Sequence, residues 1–227
     1  MPPRALDPAG VALVDKPAGP SSFAVVSQIR RVTGARTGHA GTLDPFATGL
    51  LLLLSGRATR IASCLVGLDK RYLTTVDLTA RTSTGDPEGD VVERLDPPGE
   101  AELEARLAAL RGEIELPIPA ASAVKIGGER AYRLARRGVE VEMPLRRSTV
   151  YALDVIAYTD DAVTLDLRVS SGTYVRAIAE ALGGHCRTLR RTEVGPFDVA
   201  DAVAPDAFDA GRLLAEADVL ARIGVEA

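Results

Sequence analysis

The segment GHAGTLDPFATGLLLLL, residues 38–54, places a loop of turn-forming residues directly before a run of five leucines. The leucine run predicts a short buried strand, because it is far below the roughly 20 residues that a membrane-spanning helix needs. Within the loop, Asp44 precedes Pro45, and proline disfavours the helical region for the residue before it. The loop therefore presents a carboxylate from a stiff, extended position.

Two glycines, Gly41 and Gly49, flank this carboxylate. Glycine has no side chain, so the backbone at both positions can approach a substrate closely. Taken alone, an Asp-Pro pair is better explained as an ordinary turn whose aspartate is satisfied locally. The residues around the Asp-Pro pair are needed to distinguish a turn from a reactive site.

Strands and helices alternate irregularly around the segment, which predicts a mixed α+β domain rather than a doubly wound parallel sheet. Ser21 or Ser22 is expected to cap a helix that ends at Gly34. The other predicted elements are strands at residues 11–14, 50–54, 72–78, 150–157, 163–169 and 189–194, and helices at residues 58–65, 102–110, 129–137, 174–182 and 210–223.

The net charge of −4 argues, by itself, against RNA binding, because phosphate neutralisation supplies most non-specific affinity. The charge is unevenly distributed, however. Residues 16–71 contain eight Lys or Arg and two acidic residues, whereas residues 197–227 contain two Arg and seven acidic residues. Arginine supplies 24 of the 27 basic residues and suits phosphates and base edges, although a GC-rich genome explains the same excess. Positive charge therefore concentrates around the loop that carries Asp44.

At 227 residues, 46% of them hydrophobic, the chain can bury a sizeable core in one large domain or two small ones. It has no apolar run of membrane-spanning length and no signal-peptide pattern, and two cysteines are too few for a disulfide framework. These features predict a cytoplasmic protein, although a single bridge between Cys64 and Cys186 stays open. Apart from the adjacent His185 and Cys186, His39 and the other His and Cys residues lack ligand-pair spacing, so we expect no metal and no other cofactor.

The segment GHAGTLDPFATGLL resembles the catalytic motif of the bacterial TruB family of pseudouridine synthases, which modify uridine 55 in the T loop of tRNA. The resemblance implies the pseudouridine synthase fold, with a mainly antiparallel β-sheet as the catalytic core and helices flanking it. Further blocks that resemble the family follow in family order from about residue 10 to residue 200. They are residues 15–22 (DKPAGPSS), Lys70-Arg71-Tyr72, Thr84-Gly85-Asp86, residues 122–125 (SAVK) with Arg130 and Tyr132, residues 171–176 (SGTYVR), residues 189–192 (LRRT) and residues 195–197 (GPF).

The resemblance implies an isomerase that breaks the N-glycosidic bond of a uridine, turns the uracil and rejoins it through carbon 5. It assigns the covalent nucleophile to Asp44, whose carboxylate must stay ionised to act. It assigns to Arg176 the guanidinium that pairs with this carboxylate, and to Tyr72 the ring that stacks on the target base. Without the family, Arg176 fits an exposed ion pair on a helix, and Tyr72 fits the core of a strand.

A base in a folded RNA loop must be flipped out before it reacts, and the resemblance gives His39 the role of stacking beside the extruded nucleotide. Tyr174 and Leu189 are implied as further walls of the base pocket, and residues 117–147 as a thumb inserted over the substrate. The remaining predicted substrate contacts are Lys16, Gly41, Thr42, Lys125 and Arg130, and further candidates for phosphate contacts are Arg30, Arg31, Arg133, Arg136 and Arg137.

The predicted organisation is a catalytic domain at residues 1–200 and a short acidic segment at residues 201–227, without the full C-terminal RNA-binding (PUA) domain of many family members. The expected partner is the T stem-loop of tRNA, with no membrane and no obligatory protein partner. Two other interpretations stay open: a synthase related to the guide-RNA-dependent enzymes, and a tRNA-folding chaperone, whose activity could also accompany catalysis. A pure chaperone has no need of the Asp44 carboxylate.

Overall fold

The computed structural model describes residues 8–225 except Gly138 and Glu140. The helices are α1 (Ser22–Thr33), α2 (Ala62–Val66), α3 (Glu100–Ala109), α4 (Ala131–Arg136), α5 (Val175–Ala181) and α6 (Glu216–Arg222). The strands are β1 (Gly10–Lys16), β2 (Thr37–His39), β3 (Thr48–Ser55), β4 (Lys70–Asp77), β5 (Ala80–Thr82), β6 (Val91–Arg94), β7 (Gly112–Pro117), β8 (Lys125–Ile126), β9 (Glu129–Arg130), β10 (Leu145–Thr159), β11 (Ala162–Val169), β12 (His185–Val194) and β13 (Phe197–Asp198).

The chain forms two compact units. The first unit comprises the chain up to Tyr72 together with the chain from Arg190 onwards, and the second comprises residues 73–189.

In the first unit, helix α1 forms where the sequence places a cap, an apolar face and a stop signal. Ser21 is the N-cap, and its side chain accepts a hydrogen bond from the backbone N–H of Ala24. Val25, Val26 and Ile29 are buried at helical spacing. The helix ends at Gly34, which adopts the left-handed conformation with φ 68°. The predicted helix is confirmed, with Ser21 rather than Ser22 as its cap.

Strand β3 is the centre of the first unit. It pairs antiparallel with the whole of β1, from Gly10 opposite Ser55 to Lys16 opposite Gly49. On its other side it pairs with β2 at one end and, in parallel, with β12 at the other. The five leucines of β3 are all buried, and those at alternate positions join a core that includes Phe197. The predicted buried strand at residues 50–54 is confirmed.

The second unit contains the sheet order β4–β11–β10–β7. β10 and β11 form an antiparallel hairpin, and β7 pairs antiparallel with the first half of β10. Helix α5 is buried from Val175 to Ala179, and α3 buries Leu103 and Leu107. The predicted pairing of residues 150–157 with residues 163–169 is confirmed, as is the mixed α+β class with a mainly antiparallel sheet.

The predicted helices at residues 210–223 and 129–137 are each wrong in part. Only Glu216–Arg222 is α-helical in the former, and Ala210–Arg212 is a short 3₁₀ turn. Between them, Leu214 is extended because its N–H and C=O both bond to Val11 of β1, and this sheet-edge pairing replaces helical bonds. In the latter, residues 129–130 pair with β8 before α4 begins.

No helix within the described residues is both long enough and apolar enough to cross a membrane.

Candidate active site

Asp44 lies in the loop between β2 and β3, half-buried, with its backbone C=O accepting a hydrogen bond from the N–H of Ala47 at 3.2 Å. The residue before it is fixed by a buried serine of α1. The hydroxyl of Ser22 donates to the C=O of Leu43 at 2.8 Å and accepts from the N–H of Leu43 at 2.9 Å. Both backbone groups of the residue that precedes the carboxylate are therefore held by a single side chain.

Lys16 holds the other side of the same loop. Its side chain is 0% exposed, and its ammonium donates to the C=O of Pro45 at 3.0 Å and to the C=O of Ala47 at 2.6 Å. The N–H of Gly19 also donates to the C=O of Pro45, at 2.9 Å. The structure thus gives Lys16 a role in positioning the loop, and its predicted contact with substrate stays a prediction.

Arg191 holds the loop from β12, and the sequence analysis named it only as a member of the block at residues 189–192. It is 1% exposed on β12, and its guanidinium donates to the C=O of Leu50 at 2.7 Å and to the C=O of Gly41 at 3.1 Å. Gly49 shows how tightly this arrangement is packed, since a Cβ there would lie 2.2 Å from the Arg191 carbonyl oxygen. Gly49 also has φ 102°, a conformation that favours glycine. Gly49 thus allows the backbone of β3 to pack against the backbone of a buried arginine.

Burial and the nearby Arg191 charge both lower the pKa of His39, so its imidazole is neutral at pH 7. Its Nδ1 atom is buried and has no hydrogen-bond partner among the described residues. A neutral ring whose polar edge is not engaged fits the predicted stacking role better than a role as a cationic contact. Thr42, by contrast, is exposed at the surface of the loop.

Tyr72 belongs to the same unit and is buried on β4, two residues after Lys70 and on the same face of the strand. Lys70 donates to the C=O groups of Val66 and Leu68 at the end of α2. Burial lowers the pKa of Lys70 to about 8, with a further contribution from the Arg191 charge. Lys70 therefore fixes the start of the strand that carries Tyr72.

Arg176 lies in the second unit, on α5, and is almost completely buried. Its guanidinium donates to the C=O of Thr84 at 2.6 Å and to the C=O of Ala121 at 3.0 Å, and it forms an ion pair with Asp86 at 3.3 Å. Asp86 also accepts hydrogen bonds from the Thr84 hydroxyl and the Glu88 N–H. The Thr84-Gly85-Asp86 loop therefore positions Arg176, and the predicted pairing of Arg176 with Asp44 stays a prediction.

The other two predicted base-pocket residues also lie in the second unit. Tyr174 is half-buried immediately before α5 and, with Leu116, lines a small cavity of about 10 Å³. Leu189 is buried on β12. Tyr174 is only partly exposed and Leu189 is buried. Their role as walls of the base pocket stays a prediction.

The predicted thumb is a short hairpin followed by a helix. Strands β8 and β9 are joined by Gly127 and Gly128, both with positive φ. The guanidinium of Arg130 donates to the C=O of Ala123. The exposed basic residues here are Lys125, Arg130, Arg133 and Arg137, and the side chains of Tyr132 and Arg136 lie outside the described part of the structure.

Cys186 is buried and Cys64 is partly exposed, and the two form no disulfide. Within residues 8–137, 139 and 141–225, no three His, Cys, Asp or Glu side chains are grouped so as to hold a metal ion.

A family model described as "TruB family pseudouridylate synthase (N terminal domain)" matches residues 30–175. The chain belongs to the TruB family. The matched span includes Asp44, Tyr72, His39 and Tyr174, and it ends one residue before Arg176. The resemblance inferred from the motifs is confirmed.

Relatives match the chain well beyond that span. A tRNA pseudouridine synthase B from Leifsonia xyli subsp. xyli is 46% identical over 209 residues, covering 85% of this chain and 69% of that protein. One from Nocardia farcinica is 44% identical over 237 residues, covering 98% of this chain and 78% of that protein. The TruB similarity therefore extends to the segments that carry Arg176 and Arg191.

Solved structures share the fold. The chain aligns with one in a crystal structure of a Cbf5-Nop10-Gar1 complex with a TM-score of 0.64 and 28% identity, over 87% of this chain and 55% of that one. It aligns with another in an archaeal box H/ACA sRNP Nop10-Cbf5 complex with a TM-score of 0.62 and 26% identity, over 90% of this chain and 53% of that one. This TruB-family chain thus spans about half the length of those chains. The predicted pseudouridine synthase fold is confirmed.

Proposed function

We propose that this chain converts uridine 55 in the T loop of tRNA to pseudouridine, with Asp44 as the covalent nucleophile. The observation that carries the proposal is the fixed loop around Asp44, in which Ser22, Lys16 and Arg191 hold the backbone on both sides of the carboxylate. Such preorganisation is what a nucleophile needs to meet a substrate at a fixed position.

The class of reaction is supported by the relatives. The similar proteins from Leifsonia and Nocardia are both named tRNA pseudouridine synthase B. They confirm the expected isomerase activity on tRNA, while the choice of uridine 55 follows from the TruB resemblance.

In the proposed mechanism the Asp44 carboxylate attacks the nucleotide, at the sugar or at the base, while the N-glycosidic bond breaks. The freed uracil turns and carbon 5 forms a new bond to the sugar, the bond to the carboxylate breaks, carbon 5 loses its proton, and the released ring nitrogen gains one. Arg176 orients and stabilises the carboxylate, and Tyr72 stacks on the base and transfers a proton. His39, neutral because it is buried near Arg191, stacks beside the extruded nucleotide.

Substrate binding completes the proposal. Tyr174 and Leu189 form walls of the pocket that holds the uracil. Gly41 and Thr42 form the loop surface that faces the RNA. The exposed Lys125 and Arg130 of the hairpin contact phosphates, as do other basic residues, and residues 117–147 act as a thumb within a catalytic domain at residues 1–200. The enzyme acts on tRNA in the cytoplasm without an obligatory protein partner, and residues 201–227 form an acidic segment.

Asp44→Asn tests the nucleophile. The amide keeps the size of the side chain but is a poor nucleophile, so we expect no pseudouridine and nearly unchanged tRNA binding. The assay is release of tritium from tRNA labelled at carbon 5 of uridine, together with direct titration of tRNA binding. Asp206→Asn, an exposed carboxylate of the same unit, is the matched control and should stay fully active.

Appreciable turnover by Asp44→Asn would reject the covalent role. A tRNA transcript with cytidine at position 55 should release no tritium, and release from it would reject the proposed target. If Asp44→Asn still accelerates tRNA refolding, the protein also has the predicted chaperone activity.

A further inference from the structure

Helix α1 presents an aromatic ring to solvent beside residues 40–47, the nucleophile loop, which carries the proposed nucleophile Asp44. Phe23 is 74% exposed, the highest value among the large hydrophobic residues that the structure describes as exposed. Scattered single apolar residues on a surface need no explanation. Phe23 differs because its position is fixed relative to Asp44: it follows Ser22, which bonds to both backbone groups of Leu43.

The turn before the helix strengthens this connection. The N–H of Gly19 donates to the C=O of Pro45, on the far side of Asp44 from Leu43. The chain from Gly19 to Ser22 is thus bonded to the loop on both sides of the nucleophile. Phe23 therefore stands at the edge of the loop surface that a substrate has to reach.

The charge of the same helix face suits a polyanion. Arg30 and Arg31 follow Phe23 by seven and eight residues, so they lie on its side of the helix, about 12 Å further along the axis. Both arginines are exposed, and α1 contains no acidic residue. An aromatic ring followed by cations on one face is the arrangement that proteins use for unpaired nucleic acid, where bases stack and phosphates pair with arginine.

We infer that Phe23 stacks on an unpaired base of the tRNA next to the target nucleotide, while Arg30 and Arg31 bind the adjoining phosphates. This inference rests on the proposed function and adds a second aromatic contact to it, on α1 and outside the base pocket. RNA is favoured over a protein partner because the charged residues of α1, Arg30 and Arg31, are all cationic.

The test compares variants of the whole chain. Phe23→Ala should raise the tRNA dissociation constant and KM about 10-fold, as expected for the loss of one stacked base, with kcat nearly unchanged. Phe23→Tyr keeps a ring that can stack and should bind like the parent protein. Val32→Ala is the matched control, because Val32 is 45% exposed on the same helix and should leave tRNA binding unchanged.

Salt dependence separates stacking from charge. The slope of log affinity against log salt concentration is negative; Arg30→Ala and Arg31→Ala should each make it less steep by about 0.7 to 0.9, whereas Phe23→Ala should leave it unchanged. With an isolated T stem-loop hairpin in place of tRNA, the loss caused by Phe23→Ala should persist, because the ring lies beside the nucleophile loop.

Unchanged binding by Phe23→Ala, or equal losses in the alanine and tyrosine variants, would overturn the inference. A loss of affinity seen with whole tRNA but not with the isolated hairpin would also overturn it. The same holds if Phe23→Ala binds tRNA normally but no longer binds a protein partner. Because binding is measured directly, these outcomes are distinct from a failure of the parent protein to form pseudouridine, which would count against the proposed function.

Discussion

Replacing Ser22 with alanine should loosen the nucleophile loop. The Ser22 side chain is 2% exposed, and its hydroxyl is the partner of both the N–H and the C=O of Leu43. Removing the hydroxyl leaves one buried donor and one buried acceptor without that partner. Each unsatisfied group costs about 1–3 kcal/mol, so we expect the free energy of unfolding to fall by roughly 2–6 kcal/mol.

The same change should slow catalysis, because Asp44 follows Leu43 directly. A misplacement of about 1 Å at a reacting group can cost about 100-fold in rate, so we expect kcat to fall by roughly 10- to 100-fold. Urea unfolding gives the stability change, and hydrogen exchange at the Leu43 amide reports whether the local bond is lost. Single-turnover tritium release gives the rate.

Ser21→Ala is the matched control for Ser22→Ala. Ser21 is exposed and caps α1 by accepting from the Ala24 N–H at 3.2 Å. Losing this cap should cost about 1 kcal/mol of stability and leave the rate unchanged. The reasoning is refuted if the two alanine variants lose equal stability, or if Ser22→Ala keeps both the protected Leu43 amide and the parent rate.

Two further predictions concern backbone packing and pH. Gly49→Ala should cost more than roughly 3 kcal/mol of stability, because its Cβ would lie 2.2 Å from the Arg191 carbonyl oxygen, whereas Gly34→Ala, with no atom within 4 Å, should cost about 1–2 kcal/mol. Equal losses in thermal melts would contradict the close approach. In the folded protein the pKa of Lys70 is about 8, below its ordinary value of 10.5. Between these pH values the unfolded state binds more protons than the folded state, so the contribution of Lys70 to stability rises with pH. Lys70→Met should remove that rise in urea titrations at pH 7.5 to 10, and an unchanged pH profile would contradict the assignment.

Much of the fold could be predicted because its signals are local. The cap, apolar face and terminal glycine of α1 all lie within fourteen residues, at positions 21–34. The leucines of β3 and the alternating residues of β10 and β11 likewise indicate their own conformation. The helix predicted at residues 210–223 was wrong at residues 210–215, because Leu214 bonds to Val11, about 200 residues earlier in the chain. The sequence pattern around Leu214 does not identify a hydrogen-bond partner so far away in the chain.

In the candidate site, too, local features could be predicted and long-range contacts could not. Asp44 and the two glycines stand out in the sequence because one short motif contains them. The contacts that fix the motif join residues far apart in the chain, with Lys16 29 residues from Pro45 and Arg191 150 residues from Gly41. Arg191 also appears in the sequence as one of two adjacent arginines, and nothing local distinguishes it from Arg190, which pairs with Asp15.

Arg191 links the shape of the loop to its electrostatics. A guanidinium cannot lose its charge within proteins, so a buried arginine keeps a positive field next to the backbone that it holds. Burial lowers the pKa of His39 and of Lys70, and the field of Arg191 lowers both further, which disfavours additional positive charge nearby. A lysine at position 191 could supply the charge but not the two directed N–H groups that reach Leu50 and Gly41 together, because its ammonium is a single point charge on a flexible stem. The requirement for arginine at this position therefore follows from geometry and charge acting together.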